Sequence, residues 1–212
     1  VTITQYLTAL VIHSIYNTNY KKYNGNKPIK VCVPVDLRKY FKSETVSNFF
    51  SYIVVAAAMQ DKLLQNFDDL LKFVKQEFER LLTPSEISKT MSANVKIGNN
   101  WFIKSIPLFC KLAIVKLSYI EIRKHTTTTL SNIGRVGIIG EYKKYIDKFL
   151  MLIAPETVEK IKCSACSFEN NLVFTFTSKL SDTEVEQEFC NKLKEQGIDF
   201  YVEGNGVHDF IS

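Results

Sequence analysis

Three histidines, His13, His125 and His208, are the side chains best suited to move protons near neutral pH. None has neighbours that would turn it into a catalyst. His13 sits at the margin of the apolar face of an N-terminal helical pattern, His125 in a basic turn and His208 beside Asp209. Each is read as an ordinary surface or core histidine. Cys163 and Cys166 have the spacing of a redox or zinc pair, but both fall inside a predicted strand, where residues three apart point to opposite faces. No second cysteine pair or nearby histidine completes a ligand set, so they are expected to be buried structural thiols. Gly134, Gly137 and Gly140 recur at every third position after a predicted strand. No Lys-Ser or Lys-Thr pair follows to reach a terminal phosphate, which leaves them as turn glycines. No serine lies in a G-x-S-x-G elbow, so a hydrolase nucleophile is missing too. On this reading the chain contains no catalytic residue and no metal ligand.

The stretch from Val33 to Phe50 is more informative: Val-Pro-Val-Asp-Leu-Arg over Val33 to Arg38, a basic-aromatic turn, then Ser47-Asn48-Phe49-Phe50. Ile29, Val31, Val33 and Val35 alternate along it, the period of a strand with one buried face. Pro34 donates no backbone hydrogen bond, so this strand is expected to have an edge, a bulge or an early end there. Asp36 and Arg38 lie two apart, and a charge-assisted pair between them or to a third group follows if the strand persists. Both are read as structural residues.

The elements that would position these residues can be read along the chain. Thr2 and Gln5 form a capping box before a helix over Ile3 to Asn17. Phe49 to Met59 is a second extended or mixed apolar segment. Asn66 caps a helix through Leu82, with Phe67, Leu70, Leu71, Val74, Phe78 and Leu81 at helical spacing. Thr83-Pro84-Ser85-Glu86 opens another helix that fades by Gly98, and Pro107 opens a third that runs to about Arg123. Thr126 to Ile133 is β-branched and reads as a strand. A helical turn at Glu141 to Tyr145 precedes a predicted strand at Phe149 to Ala154. Ile161 to Phe168 and Leu172 to Ser178 form a hairpin. Ser181 and Glu184 make a further capping box for a helix through Glu195 that Gly197 stops. Ile198 to Glu203 reads as a last strand.

This irregular alternation predicts an α+β fold, a two-layer α/β sandwich with a mixed sheet flanked by helices, in one domain spanning residues 1–212. A net charge of +5, spread over scattered pairs such as Lys21-Lys22 and Lys143-Lys144, lacks the clustering of a nucleic-acid footprint. It would suit an anionic small ligand such as a nucleotide thioester. No apolar run reaches membrane-spanning length. Five cysteines at irregular spacing argue against a disulfide framework and for a reducing, cytoplasmic setting. The start at Val1, directly in a helical pattern, suggests a piece of something longer.

Taken together, the Val33 to Arg38 segment, the Ser47 to Phe50 step, the Thr-rich run from Thr126 to Gly134 and the hairpin-helix tail resemble the C-terminal lobe of the chloramphenicol-acetyltransferase-like superfamily. The similarity is greatest to bacterial alcohol acetyltransferase-like proteins, with wax ester synthases and the condensation domains of nonribosomal peptide synthetases as more distant relatives. It implies a thioester-dependent O-acyltransferase in which two α/β lobes meet around a tunnel. There a His-His-x-x-x-Asp-Gly motif of the N-terminal lobe takes the proton from an acceptor alcohol. This chain departs from that pattern, since Asn17, Thr129 and Ser212 stand four residues after the three histidines. The resemblance therefore implies partners: a missing N-terminal lobe, an acyl thioester with acyl-CoA as co-substrate, and an alcohol acceptor. It implies that Asn48, Ser131 and Asn132 face the tunnel as cofactor-binding groups, and that Asp36 and Arg38 hold the fold. The alternative is a solitary, inactive lobe that serves as a binding or protein-interaction module. Either way an uncovered face invites a homodimer.

Overall fold

The computed structural model describes residues 1–18, 27–59, 62–99, 105–123 and 126–205, and His125 and His208 lie outside them. The elements in chain order are α1 (Ile3–Asn17), β1 (Ile29–Asp36), β2 (Phe50–Ala57), α2 (Phe67–Leu81), α3 (Pro84–Asn99), α4 (Leu108–Arg123), β3 (Thr128–Arg135), β4 (Ile161–Phe168), β5 (Asn171–Ser178) and α5 (Glu184–Glu195). The strands form a five-stranded sheet in the order β2-β1-β3-β4-β5. Its outer pairs β1/β2 and β4/β5 are antiparallel, and the inner pairs β1/β3 and β3/β4 are parallel. The expected mixed sheet of an α+β fold is what forms.

Side-chain alternation assigns each face. Ile29, Val31 and Val33 of β1, Ile53, Val55 and Ala57 of β2, Leu130 of β3 and Ile161, Cys163 and Ala165 of β4 all enter one core. Their cover is α1, α2 and α5, which supply Leu7, Leu10, Ile12, Leu70, Val74, Val185 and Phe189. Phe189 anchors α5 on the sheet, stacked on Phe174 at 4.5 Å and edge-on to Phe176 at 5.0 Å. α1 carries little amphipathic character because it is enclosed on nearly every side, and every residue from Leu7 to Ile15 is buried. The two hydroxyls in that run satisfy themselves on the helix, Thr8 donating to the Thr4 carbonyl at 2.7 Å and Ser14 to the Leu10 carbonyl at 2.8 Å.

The expected caps of α1 and α2 form: Thr2 and Gln5 make the reciprocal box, and Asn66 accepts from the backbone of Asp68 and Asp69. The expected box at Ser181 does not. The N-cap of α5 is Thr183, and Lys179 still donates to the Lys160 carbonyl at 2.9 Å, one residue beyond the predicted end of the hairpin. Two predicted strands also fail to join the sheet. Phe149 to Ala154 and Ile198 to Glu203 belong to no ladder. The carbonyls of Phe149, Met151 and Ile153 are instead taken by side chains of β4 and β5.

His13 is one of the buried polar groups on α1, 6 % exposed, with its ring edge-on to Phe67 at 5.5 Å. Its Nε2 accepts from the Asn17 amide at 2.9 Å, and that amide also donates to Glu188 of α5 at 2.9 Å. Nδ1 is buried without a partner. Burial holds the ring below its ordinary pKa of 6.5, with the nearby Lys192 ammonium acting in the same direction and Glu188 and Glu195 opposing it. A histidine that binds its proton less readily folded than unfolded contributes stability above its unfolded pKa, and that contribution is lost as the pH falls. Thermal unfolding midpoints should therefore drop between about pH 7 and about pH 5. His13→Gln should flatten that drop, and an unchanged slope in this variant would count against the assignment.

Candidate functional site at the parting of two strands

The sheet opens at one end. β1 and β3 are paired only at Val31 with Thr128 and Cys32 with Thr129, reinforced by the Thr127 amide donating to the Lys30 carbonyl at 2.9 Å. Beyond that point β1 follows β2 to Asp36, and β3 follows β4 from Leu130 onward. The parting begins just before Pro34, the residue that cannot donate across it. Because β1 and β3 are parallel, their carboxyl ends lie at the same end of the sheet, with the start of β2 beside them. Topology thus brings Asp36, Arg38, Asn48, Ser131 and Asn132 to one end of the fold.

The β1 side of this wedge is held by Arg38. Asp36 caps a short 3-10 turn at Leu37–Lys39, and its carboxylate accepts from the Arg38 backbone at 3.1 Å and from the Arg38 guanidinium at 3.3 Å. The other arm of the guanidinium donates to the carbonyls of Thr45 at 3.1 Å and Ser47 at 2.8 Å. One planar fork therefore ties the end of β1 to the loop that leads into β2, a geometry a lysine cannot reproduce. Asn48 follows that clamp directly, exposed and without a hydrogen bond among the described residues.

On the β3 side, Ser131 and Asn132 point to opposite faces. Ser131 is half-buried on the face away from the helices, paired in register with Ser164, and its hydroxyl makes no hydrogen bond among the described residues. Asn132 points toward α1. Its amide donates to the Thr4 hydroxyl at 3.1 Å and its carbonyl accepts from the Gly134 amide at 2.9 Å. Gly134 takes φ +76°, a left-handed conformation that suits glycine, in the bulge between Asn132 and Arg135, after which β3 pairs with β4 again at Ser167.

The open face of the sheet is covered over β4 by a segment that sequence reasoning places in a strand. Cys166 donates to the Phe149 carbonyl at 3.1 Å, Ser164 to that of Met151 at 2.5 Å and Thr177 to that of Ile153. Residues 149–154 thus form an extended strap running antiparallel to β4 on top of it, with Phe149 edge-on to Phe168 at 5.2 Å. The strap continues into a buried ionic cluster. Lys162, 3 % exposed, binds the carboxylate of Glu156 and lies 3.5 Å from that of Glu159, which is fully buried and accepts from the Thr129 hydroxyl at 2.9 Å. The one local signal of this cluster is a lysine in a strand of mostly small residues. Cys163 and Cys166, expected to be buried and on opposite faces, are both buried, Cys163 toward the helices and Cys166 toward the strap. Burial pushes the Cys163 thiol far above its ordinary pKa, so it stays protonated.

Ser131 and Asn48 can donate to or accept from a bound carbonyl or amide, and no imidazole of the described residues stands beside them to move a proton. Among the described residues no group of three His, Cys, Asp or Glu side chains is placed to hold a metal ion. No described helix is long and apolar enough to cross a membrane.

A mixed sheet with helices packed on one face, an opposite face left open and central strands that part at one end has the fold of one lobe of the chloramphenicol-acetyltransferase-like proteins. Solved structures with this fold include the epimerization domain from the third module of tyrocidine synthetase B, at 13 % identity and a TM-score of 0.51 over 92 % of this chain. The starter condensation domain of rhizomide synthetase RzmA is similar at 12 % identity and a TM-score of 0.47 over 91 % of this chain. The chain spans about two fifths of those two domains' length, 40 % and 41 % respectively. No protein-family model and no curated protein matches the sequence.

Two substitutions test this geometry. Removing Lys162 takes the nearby cation from the fully buried Glu159 carboxylate, so Lys162→Ala should cost about 3–5 kcal/mol in urea unfolding. Arg38→Lys, which keeps the charge but not the fork, should cost only about 1 kcal/mol. It should nonetheless speed amide exchange across residues 43–48, and unchanged exchange there would show that the clamp does not order the loop.

Proposed function

We propose that this chain is the C-terminal lobe of a thioester-dependent O-acyltransferase of the alcohol acetyltransferase type, completed by an N-terminal companion lobe that carries the catalytic histidine. The single observation that carries the reading is the wedge between β1 and β3, where the Ser131 hydroxyl, without a hydrogen bond among the described residues, borders a sheet face that is apolar and open, with Asn48 at the same end of the fold. Tyr52 and Phe50 of β2 and Ile133 of β3 stand on that face 45 %, 60 % and 57 % exposed. Exposed apolar surface of this kind is a contact face for another layer of protein. Ser131 and Asn48 would donate to the pantetheine amides or thioester carbonyl of an acyl-CoA, while Asn132 positions β3 through Thr4 and Gly134. Asp36 and Arg38 hold the entry loop. The five free thiols support a reducing, cytoplasmic setting. An inactive interaction module is the competing reading, favoured by the lack of an imidazole beside Ser131 among the described residues.

Calorimetric titration with acetyl-CoA separates the two. The isolated chain should bind it weakly and transfer no acetyl group, while a polypeptide carrying both lobes should bind it and acetylate a short-chain alcohol. In the two-lobed polypeptide Ser131→Ala and Asn48→Ala should each weaken acetyl-CoA binding roughly 5–10-fold, one hydrogen bond's worth, without moving the unfolding midpoint. Binding and transfer absent from both forms would leave the interaction module.

A further inference from the structure

α4 is built differently from the helices that cover the sheet. Along α2 the apolar side chains Phe67, Leu70, Val74 and Phe78 form one buried stripe, while charged residues such as Lys72 and Glu79 face water. α4 has no such division. Leu108, Phe109, Leu112, Val115 and Leu117 are 63–74 % exposed, and Ile114 is 50 % exposed. At about 100° per residue Leu108 and Leu117 lie on opposite sides of the helix, with Phe109 roughly a quarter turn from each. Among residues 105–117 only Ile106, Cys110 and Lys111 are half-buried. The rest of this apolar surface is uncovered.

Shape, charge and length narrow what covers it. A helix from a second copy would bury one stripe of α4 and leave the opposite side in water. A bilayer interface encloses an apolar helix on most of its sides, and long lysine stems let their ammonium groups reach the headgroups. The charge fits the same medium. From Trp101 to His125 the sequence holds Lys104, Lys111, Lys116, Arg123 and Lys124 against the single acid Glu121, a balance that is drawn to anionic lipid. At 16 residues α4 is about 24 Å long, short of the roughly 30 Å hydrocarbon core, so it suits the interface and not a crossing.

We infer that α4 is a membrane-contact helix that seats this chain on an anionic lipid bilayer. Its leucines, Phe109 and Val115 enter the boundary between headgroups and acyl chains, and Lys116 reaches back to the lipid phosphates. The contact uses none of the residues at the wedge, so it stands or falls independently of the acyltransferase reading.

Flotation of the 212-residue chain with lipid vesicles tests this. The chain should float with vesicles of roughly three parts phosphatidylcholine to one part phosphatidylglycerol, and bind phosphatidylcholine alone roughly 20-fold more weakly. Leu112→Asp should lower binding to the anionic vesicles roughly 100-fold. Lys116→Gln should lower it roughly 5-fold and leave binding to neutral vesicles unchanged. Both positions are exposed, so each variant should unfold within about 2 °C of the parent. In amide hydrogen exchange the peptide over residues 108–117 should slow when anionic vesicles are added, while the strands of the sheet keep their rates. A parent chain that does not float, or an aspartate variant that floats as well as the parent, would overturn the membrane contact. Protection of residues 108–117 without lipid would also overturn it: a rise with the concentration of the chain would assign this surface to a second copy, and protection confined to the two-lobed polypeptide would assign it to the companion lobe.

Discussion

Leu10 and Ile12 of α1 have no solvent contact, and the other helices on this face are arranged around that fact. A helix that is buried for nine residues in succession cannot rest on a sheet with its back to water. α2 and α5 close over its two flanks, Phe67 and Phe189 reach in beside it, and the sheet supplies its floor. Deleting any one large side chain in such a packed interior costs a few kcal/mol, a sizeable share of a domain's stability. Polar groups survive in this environment only by local bonding, as Thr8 and Ser14 do along the helix and His13 does through Asn17.

Committing α1, α2 and α5 to one face leaves the other to different means. Over β4 it is closed by the strap, which is attached through side-chain donors in place of ladder bonds. The Lys162 cluster then fixes the end of the strap to β3 and β4. A buried lysine with two carboxylates gains little net stability over an apolar cluster of the same size. Its geometry is nevertheless demanding, so it specifies where the strap ends and β4 begins. Over β1, β2 and the end of β3 the face stays open, and there the two central strands part.

That parting follows from one residue. Pro34 cannot donate, so β1 loses its inner partner beyond Cys32 while keeping β2. β3 is then free to follow β4, and does so to its end through a bulge at Gly134. Arg38 stabilises the other lip by binding Asp36 at the end of β1 and two carbonyls of the loop that follows. The wedge is therefore a feature of the sheet itself, with Arg38 holding the end of β1 on one side and Ser131 on β3 on the other.

Much of this was legible in the residues. Helical spacing from Phe67 to Leu81, the Thr2 and Asn66 caps, alternation from Ile29 to Val35 and the hairpin at Glu169-Asn170 are local patterns, and local physics decides them. The interruption at Pro34 and the Asp36–Arg38 pair were readable for the same reason: each depends on residues within a few positions. Three things were not. Phe149 to Ala154 and Ile198 to Glu203 have strand composition, but a strand exists only if a ladder partner is placed beside it, and the fold places neither along a strand of the sheet. Ser131 and Asn132 look alike in sequence, yet the register of β3 sends one to the open face and the other to α1. Lys162, Glu156, Glu159 and Thr129 are unremarkable as residues and become a buried cluster only when β3 and β4 lie side by side. The sequence alone determined the segments and their buried faces, because those follow from period and capping. The tertiary structure decided which segments pair, which polar groups meet and which face remains open, because these depend on residues far apart in the chain competing for the same neighbours.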